Sequence, residues 1–342
     1  MIVDKAGEKM ETNKEFNICA KKTSPNIALV VLLSKKGGFV SGEEISEKLG
    51  ITRSGVWKQV NILREMGYSI TSSTKLGYRI DKSPDLLIPE EIWLKTNLSF
   101  LGNTIYYFTV LDSTNEYAKK VASEGAPHGA LVVSEEQLKG RGRMGRKWIS
   151  PKDGGLWFSS VLRPDFAPYE APKLTILSAV AVAEAIRSET GLAAVIKWPN
   201  DVLIGGKKVC GILTELSSEI DVINHIIVGI GLNVNNVIPK ELAPGAVSLK
   251  QIKKEHIDRV GLFAALLKSF ETYYETAMND GFFTIFQKWR SLCCNLGKRV
   301  KVMGRSGSFC GTALDINDYG ALLVETEGKK VVEVLSGDVS LR

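Results

Sequence analysis

The sequence predicts an α+β chain of several domains: an N-terminal winged helix-turn-helix, a central mixed α/β domain and a small C-terminal SH3-like β-barrel. Three observations predict it. The 342 residues suffice for two or three domains of about 150 residues. Short capped helices followed by a hairpin occupy residues 24–83, and strands then alternate with helices over 84–295. Only short alternating runs remain over 296–342, while residues 1–23 are polar, lack periodicity and predict a loose tail.

Composition narrows the class. Apolar residues make up 44% and charged residues 24%, enough to bury sizeable cores. The longest wholly apolar run, Ile27 to Leu33, has seven residues, against about 18 for a bilayer span, so no membrane partner is expected. No basic and apolar leader with a small-residue cleavage site opens the chain, and the expected location is the cytoplasm. Cys19, Cys210, Cys293, Cys294 and Cys310 are odd in number and form no C-x-x-C, which argues against a disulfide framework or a zinc ribbon. His128, His225 and His256 are too scattered for a metal cluster. Residues 1–82 hold 14 Lys/Arg and 9 Asp/Glu; the remainder holds 30 and 29, so almost all of the net +6 sits in the first quarter and favours a polyanion there.

Ser24-Pro25 reads as a helix start, with Ser as N-cap, followed by Ile27, Val30 and Val31 at helical spacing and a stop at Gly37-Gly38. Ser41 and Glu44 have capping-box spacing ahead of Ile45 and Leu49, and Gly50 suits a left-handed cap. Thr52 caps a third helix whose buried stripe is Val56, Val60 and Leu63. Two alternating runs around residues 72–75 complete a wing. Opposite that stripe stand Arg53, Ser54, Trp57, Lys58 and Asn61, a mixture of phosphate-positioning and base-reading side chains suited to DNA in the major groove. Winged helices also dock proteins, in which case the same residues form a solvated face.

In the central domain a strand over 104–110 leads to a helix near 114–124. Ser113 and Glu116 again have capping-box spacing, so Ser113, Thr114 and Asn115 read locally as a helix start, although free N–H groups there also suit a carboxylate or a ureido carbonyl. After a strand over 130–135 comes a segment from Gln137 to Trp148. Its Gly140, Gly142 and Gly145 satisfy G-x-G-x-x-G, but Pro151 and paired glycines replace the helix that a dinucleotide fingerprint requires, and no P-loop motif occurs. What remains is a glycine-spaced loop carrying Lys139, Arg141, Arg143, Arg146 and Lys147, five cations that repel one another and predict a mobile loop until an anion gathers them.

Residues 156–162 alternate as a half-buried strand, and 171–190 form a long amphipathic helix ended by Gly191. A strand over 194–196 runs into Lys-Trp-Pro-Asn-Asp (197–201), where Pro199 holds Trp198 extended and the strand leaves the sheet, presenting Asn200 and Asp201 at its rim. Gly205-Gly206 is a two-residue hairpin turn. The returning strand bears Lys208 three residues before Gly211, and the strand over 222–233 ends Gly-Ile-Gly-Leu-Asn at Asn233. Helices near 257–278 and 282–292 precede five short strands over 299–303, 308–316, 321–325, 330–335 and 339–341.

The loop Gly-Arg-Gly-Arg-Met-Gly-Arg-Lys-Trp (140–148), Lys-Trp-Pro-Asn-Asp (197–201), Lys208 to Gly211 and Gly-Ile-Gly-Leu-Asn (229–233) resemble, in order and spacing, biotin protein ligases. With a winged helix in front, the chain looks like the bifunctional bacterial type that is also the biotin operon repressor. The resemblance runs from about residue 25 to the C-terminus. Met144 occupies a variable slot, and residues 1–23 precede the usual start.

That resemblance implies attack of the biotin carboxylate on the α-phosphate of ATP, giving biotinyl-5′-AMP and pyrophosphate, then transfer of biotin to a lysine of a biotin carboxyl carrier protein. Ser113, Thr114, Asn115 and Gln137 would hold biotin; Arg141, Gly142 and Arg143 would close over biotin and phosphate; Lys208 would bridge carboxylate and α-phosphate. Trp148, Asn200 and Asn233 would face adenosine, Asp201 would orient the acceptor lysine, and Asp338 and Arg342 fall where the family places residues of the nucleotide step. Mg²⁺ would accompany ATP without an all-protein cage. The adenylate-bound form would be a homodimer on operator DNA. Two other readings stay open: a lipoate or other acyl-protein ligase, and a ligand-sensing repressor without turnover.

Overall fold

The computed structural model describes residues 17–21, 25–304, 307–335 and 337–341. Ser24, proposed as an N-cap, and Arg342 lie outside the described residues, as does most of the segment 1–23. One part of that segment departs from a loose tail: β1 (Asn17–Lys21) pairs antiparallel with a strand of the central domain.

The winged helix-turn-helix is α1 (Pro25–Lys36), α2 (Gly42–Leu49), α3 (Arg53–Glu65) and the hairpin β2 (Ser69–Ser73) and β3 (Gly77–Lys82). Its helix starts are set locally. The Ser41 hydroxyl accepts from the Glu44 N–H at 3.1 Å and the Thr52 hydroxyl from the Gly55 N–H at 3.1 Å, satisfying amides that a first turn leaves free. Val56, Val60 and Leu63 of α3 are buried against Leu29, Leu33 and Ile45. Arg53, Ser54, Trp57 and Lys58 are exposed, Trp57 to 60%, and Asn61 is half-buried.

The central domain runs α4 (Pro89–Lys95), β4 (Thr104–Phe108), α5 (Thr114–Ser123), β5 (Leu131–Ser134), β6 (Gly155–Leu162), α6 (Pro172–Thr190), β7 (Val195–Lys197), β8 (Asp201–Ile204), β9 (Lys207–Glu219), β10 (Val222–Asn233), α7 (Leu249–Lys253), α8 (Arg259–Asp280) and α9 (Phe283–Leu292). Its sheet has the order β1-β4-β5-β6-β10-β9-β8-β7, antiparallel except between β4 and β5. Three expectations change here. Every residue of β6 is buried, because helices cover both of its faces, and α6 is buried around most of its circumference rather than along one stripe. Residues 197–201 do not leave the sheet: the chain reverses there, so that Lys197 of β7 pairs with Asp201 of β8 across a turn containing a cis Trp198–Pro199 peptide. Tertiary pairing, invisible to the local Pro-Asn-Asp signal, decides this.

Strand alternation divides the sheet into two faces. Phe158 of β6 and Ile226, Val228, Ile230 and Leu232 of β10 point into the main core, shared with α6 and α8. On the other face α5 packs Ala118, Val121 and Ala122 on Val132, Val161 and Ile227. The same parity brings Ser159, Gly229, Gly231 and Asn233 to that second face, Ser159 and Gly229 against the first turn of α5.

After the central domain, β11 (Arg299–Gly304), β12 (Gly307–Ile316), β13 (Leu322–Thr326), β14 (Val331–Val334) and β15 (Asp338–Leu341) form an antiparallel sheet in the order β14-β13-β12-β11-β15, the small all-β unit the sequence predicts.

A buried ion pair ties the linker after the wing to the central sheet. Arg259, fully buried, donates to Glu135 at 2.9 Å and to the Gly155 carbonyl at 3.2 Å, and bonds both the carboxylate and the carbonyl of Asp85. Glu135 in turn accepts from the Leu87 N–H at 2.6 Å. Arg259→Leu strands the Glu135 carboxylate in an apolar surrounding, and we expect it to lower central-domain stability by roughly 3–5 kcal/mol, read as a shifted urea midpoint. A loss below about 1 kcal/mol would show that the pair bears little of the fold.

Candidate active site

One cavity of about 310 Å³ opens on the second face of the sheet. Ser113, Thr114, Asn115, Gln137, Arg141, Gly142, Arg143, Trp148, Asn200, Asp201, Lys208 and Asn233 all line it. The structure thus brings together every described residue assigned by resemblance to ligand or chemistry, Asp338 included, and leaves the five α3 residues apart on the winged helix.

Its floor is built from glycine. Gly211 of β9 and Gly231 of β10 are register partners, and Gly229 stands two residues before Gly231 on the same face. A Cβ on Gly231 would lie 2.4 Å from the Trp148 indole nitrogen, and one on Gly229 would lie 1.8 Å from Asn115 Oδ1. Only bare backbone lets the indole and the carboxamide settle there. The Lys208 ammonium is 5.0 Å from the centre of the Trp148 ring and 2.6 Å from Asp201 Oδ1. Trp148 Nε1, buried against Gly231, has no hydrogen-bond partner among the described residues.

At the start of α5 the expected capping box is absent. Ser113 stands at the N-cap position, but its hydroxyl makes no cap bond. The Thr114 N–H instead donates to Gln137 Oε1 at 2.9 Å, and the Thr114 hydroxyl to the same oxygen at 3.1 Å. Gln137 Nε2 donates to Ser150 at 2.8 Å. Ser159, buried in β6, donates to Asn115 Oδ1 at 2.7 Å and lies 2.8 Å from the Thr114 hydroxyl. Ser150, Ser159 and Asn236 escape the sequence reading. The one signal that marked Ser159 is a polar residue at an inward position of an apolar strand. Asn236, which bonds Asn233 Oδ1 at 3.0 Å, carried none.

The cationic loop folds on itself: the Gly142 N–H donates to the Arg146 carbonyl at 2.7 Å and the Trp148 N–H to the Gly140 carbonyl at 2.9 Å. Four of its five cations have acceptors from elsewhere in the chain. Lys139 meets Asp112 at 2.7 Å, Arg141 meets Glu116 at 2.8 Å, and Arg146 pairs with Asp338. Arg143 donates to Asn200 Oδ1 at 2.9 Å and to the Gly337 carbonyl at 3.3 Å. Burial draws the Arg143 pKa below the ordinary arginine value, opposed by Asp338 and Asp201. Asn200 itself donates to the Ile212 carbonyl at 2.8 Å, so the 197–201 turn, the loop and the C-terminal sheet meet at Arg143.

A cavity that combines clustered cations with a fixed set of amide and hydroxyl groups, in a chain that also carries a winged helix, is suited to an anionic ligand. The Biotin/lipoate A/B protein ligase family matches residues 107–233, an HTH domain residues 27–79, and the Biotin protein ligase C terminal domain residues 296–342. The bifunctional ligase/repressor BirA of Bacillus subtilis (strain 168) is 42% identical over 318 residues, covering 92% of this chain and 97% of that protein. The protein of the same description from Escherichia coli (strain K12) is 29% identical over 94% of this chain and 98% of its own length. The biotin protein ligase of Aquifex aeolicus, solved in complex with biotin and ATP, is similar with a TM-score of 0.61 and 34% identity over 70% of this chain and 98% of that one. The chain belongs to the biotin protein ligase family, in its bifunctional ligase/repressor branch.

Proposed function

We propose that the chain activates biotin with ATP to biotinyl-5′-AMP, transfers biotin to a lysine of a biotin carboxyl carrier protein, and represses transcription through its winged helix. The observation that carries the ligase reading is the convergence, in one cavity, of Lys208 and Arg143 with the Ser113, Asn115 and Gln137 groups. In the first step a carboxylate oxygen bonds to the α-phosphorus and the bond to pyrophosphate breaks. Two anions must approach, and fixed cations offset their repulsion. Lys208 and Arg143 would do this by exchanging Asp201 and Asn200 for ligand oxygens. The exchange frees Asp201 to receive the acceptor lysine and take a proton from its ammonium; the neutral amine would then attack the acyl carbon and expel AMP. Trp148, Asn200 and Asn233 would flank the adenosine.

Biotin's ureido ring needs acceptors for its N–H groups and donors for its carbonyl, and the cavity offers both kinds. A lipoyl dithiolane ring would leave them unpaired. Among the described residues no group of three His, Cys, Asp or Glu side chains converges. Mg²⁺ would arrive on the ATP phosphates.

Arg53, Ser54, Trp57, Lys58 and Asn61 would read operator DNA. Dimerisation on adenylate binding has support at the far end of β9, which outruns β8 and leaves Leu216, Val222 and, at 95%, Ile220 exposed. Among the described residues no helix is long and apolar enough to cross a membrane.

Two experiments test these activities. Incubated with biotin and ATP, the purified chain should label a biotin carboxyl carrier domain, and omission of either substrate should abolish labelling; absence of transfer with both would refute the ligase. Operator affinity should rise when biotin and ATP are added together. Arg53→Ala/Lys58→Ala should weaken it and lower the slope of log K against log salt by about 2 through two lost phosphate contacts. Unaltered affinity would remove α3 from the DNA interface.

A further inference from the structure

Glu215, on β9, lies outside every motif noted in the sequence and touches the cavity only through Asn115. Asn115 Nδ2 donates to Glu215 Oε2 at 2.8 Å and to the Leu213 carbonyl at 3.3 Å. On the amide's other side stands the Ser159 hydroxyl, 2.7 Å from Oδ1. A hydroxyl can donate or accept, whereas a carboxylate and a backbone carbonyl only accept. The acceptors therefore dictate which way the carboxamide turns: its nitrogen must face Glu215 and Leu213, and its oxygen must face Ser159 and the bare backbone of Gly229.

This leaves a defined remainder. Both N–H donors of Asn115 are spent, and Oδ1, having accepted one bond, keeps one lone pair. A ligand group meeting that oxygen must bring an N–H or O–H. The Glu215 carboxylate is itself pinned, since Lys119 bonds its other oxygen, Oε1, at 2.5 Å and also bonds Glu116 at 3.0 Å. Burial works against the charge on Lys119, but its hydrogen bonds to Glu215 and Glu116 outweigh this and hold its pKa above the ordinary lysine value. Glu116 in turn holds Arg141 of the loop.

We propose that Glu215 is a specificity-determining positioning residue: it turns the Asn115 oxygen toward the ligand, so that the cavity selects a cyclic urea, whose ring carries N–H groups, over rings of the same shape that lack them. The proposal rests on the cavity being the biotin site.

The test is calorimetric titration of the full chain with biotin and with the two isosteric carbamates in which one or the other ureido N–H is replaced by oxygen. The wild-type chain should bind one carbamate at least about tenfold more weakly than biotin, because a ring oxygen then opposes the Asn115 lone pair. In Glu215→Leu the amide is free to turn its NH₂ toward that ring oxygen, and the ratio should fall to within about threefold. The double variant Asn115→Asp/Glu215→Leu presents an oxygen whichever way it turns, and should restore the wild-type ratio even though binding is weaker throughout. Equal losses for biotin and both carbamates in Glu215→Leu, or a double variant that fails to regain discrimination, would overturn the assignment. A wild-type chain that does not bind biotin would instead refute the underlying reading of the cavity.

Discussion

Several cations gathered around one cavity are the constraint to which the rest of the site answers. Unpaired, they would repel one another and resist burial. The chain meets the problem with short-range acceptors: Asp201 for Lys208, Asn200 for Arg143, Glu116 for Arg141 and Asp338 for Arg146. These acceptors come from three parts of the chain, namely α5, the turn into β8 with the first residue of that strand, and the C-terminal sheet. The ion pairs of Lys208, Arg141 and Arg146 are all partly exposed, as an exchange requires. A ligand carboxylate or phosphate competes for the same guanidinium and ammonium groups with a fuller charge than an amide oxygen and a geometry suited to the arginine fork.

The sheet makes that arrangement possible by being covered unequally. Helices α6 and α8 bury one face, while α5 covers only part of the other. On the uncovered part, β9 and β10 present Gly211, Gly229 and Gly231 where side chains would otherwise rise, and Trp148 and Asn115 settle against them. The Arg259–Glu135 pair lies at the joint between the central sheet and the linker from the winged helix, two residues before Gln137 of the site. The winged helix and the cavity are thus attached to the same buried joint.

Much of this was legible in the sequence because its signals are local. Ser41, Thr52 and Gly50 mark helix ends by groups one turn away, and the dense motifs at 140–148, 197–201 and 229–233 carry their spacing with them. What stayed hidden depends on partners far along the chain. Strand β1 exists because Ile18 finds Tyr107, which no local pattern announces. Ser113 has the spacing of a capping box, yet the Thr114 amide is satisfied by Gln137, 23 residues on. The loop, read as a run of mutually repelling charges, is paired through Asp112, Glu116, Asn200 and Asp338. Glu215 looked like an ordinary polar residue of a strand, since its meaning lies in an amide 100 residues earlier.

The exchange of internal acceptors for ligand oxygens is tested most directly at Lys208, by measuring pyrophosphate release from biotin and ATP alongside biotin binding for Lys208→Met. The account predicts that release slows by about 100-fold or more while biotin affinity falls by less than about tenfold, because the ammonium acts chiefly on charge that develops during the reaction. Release at the wild-type rate would contradict it.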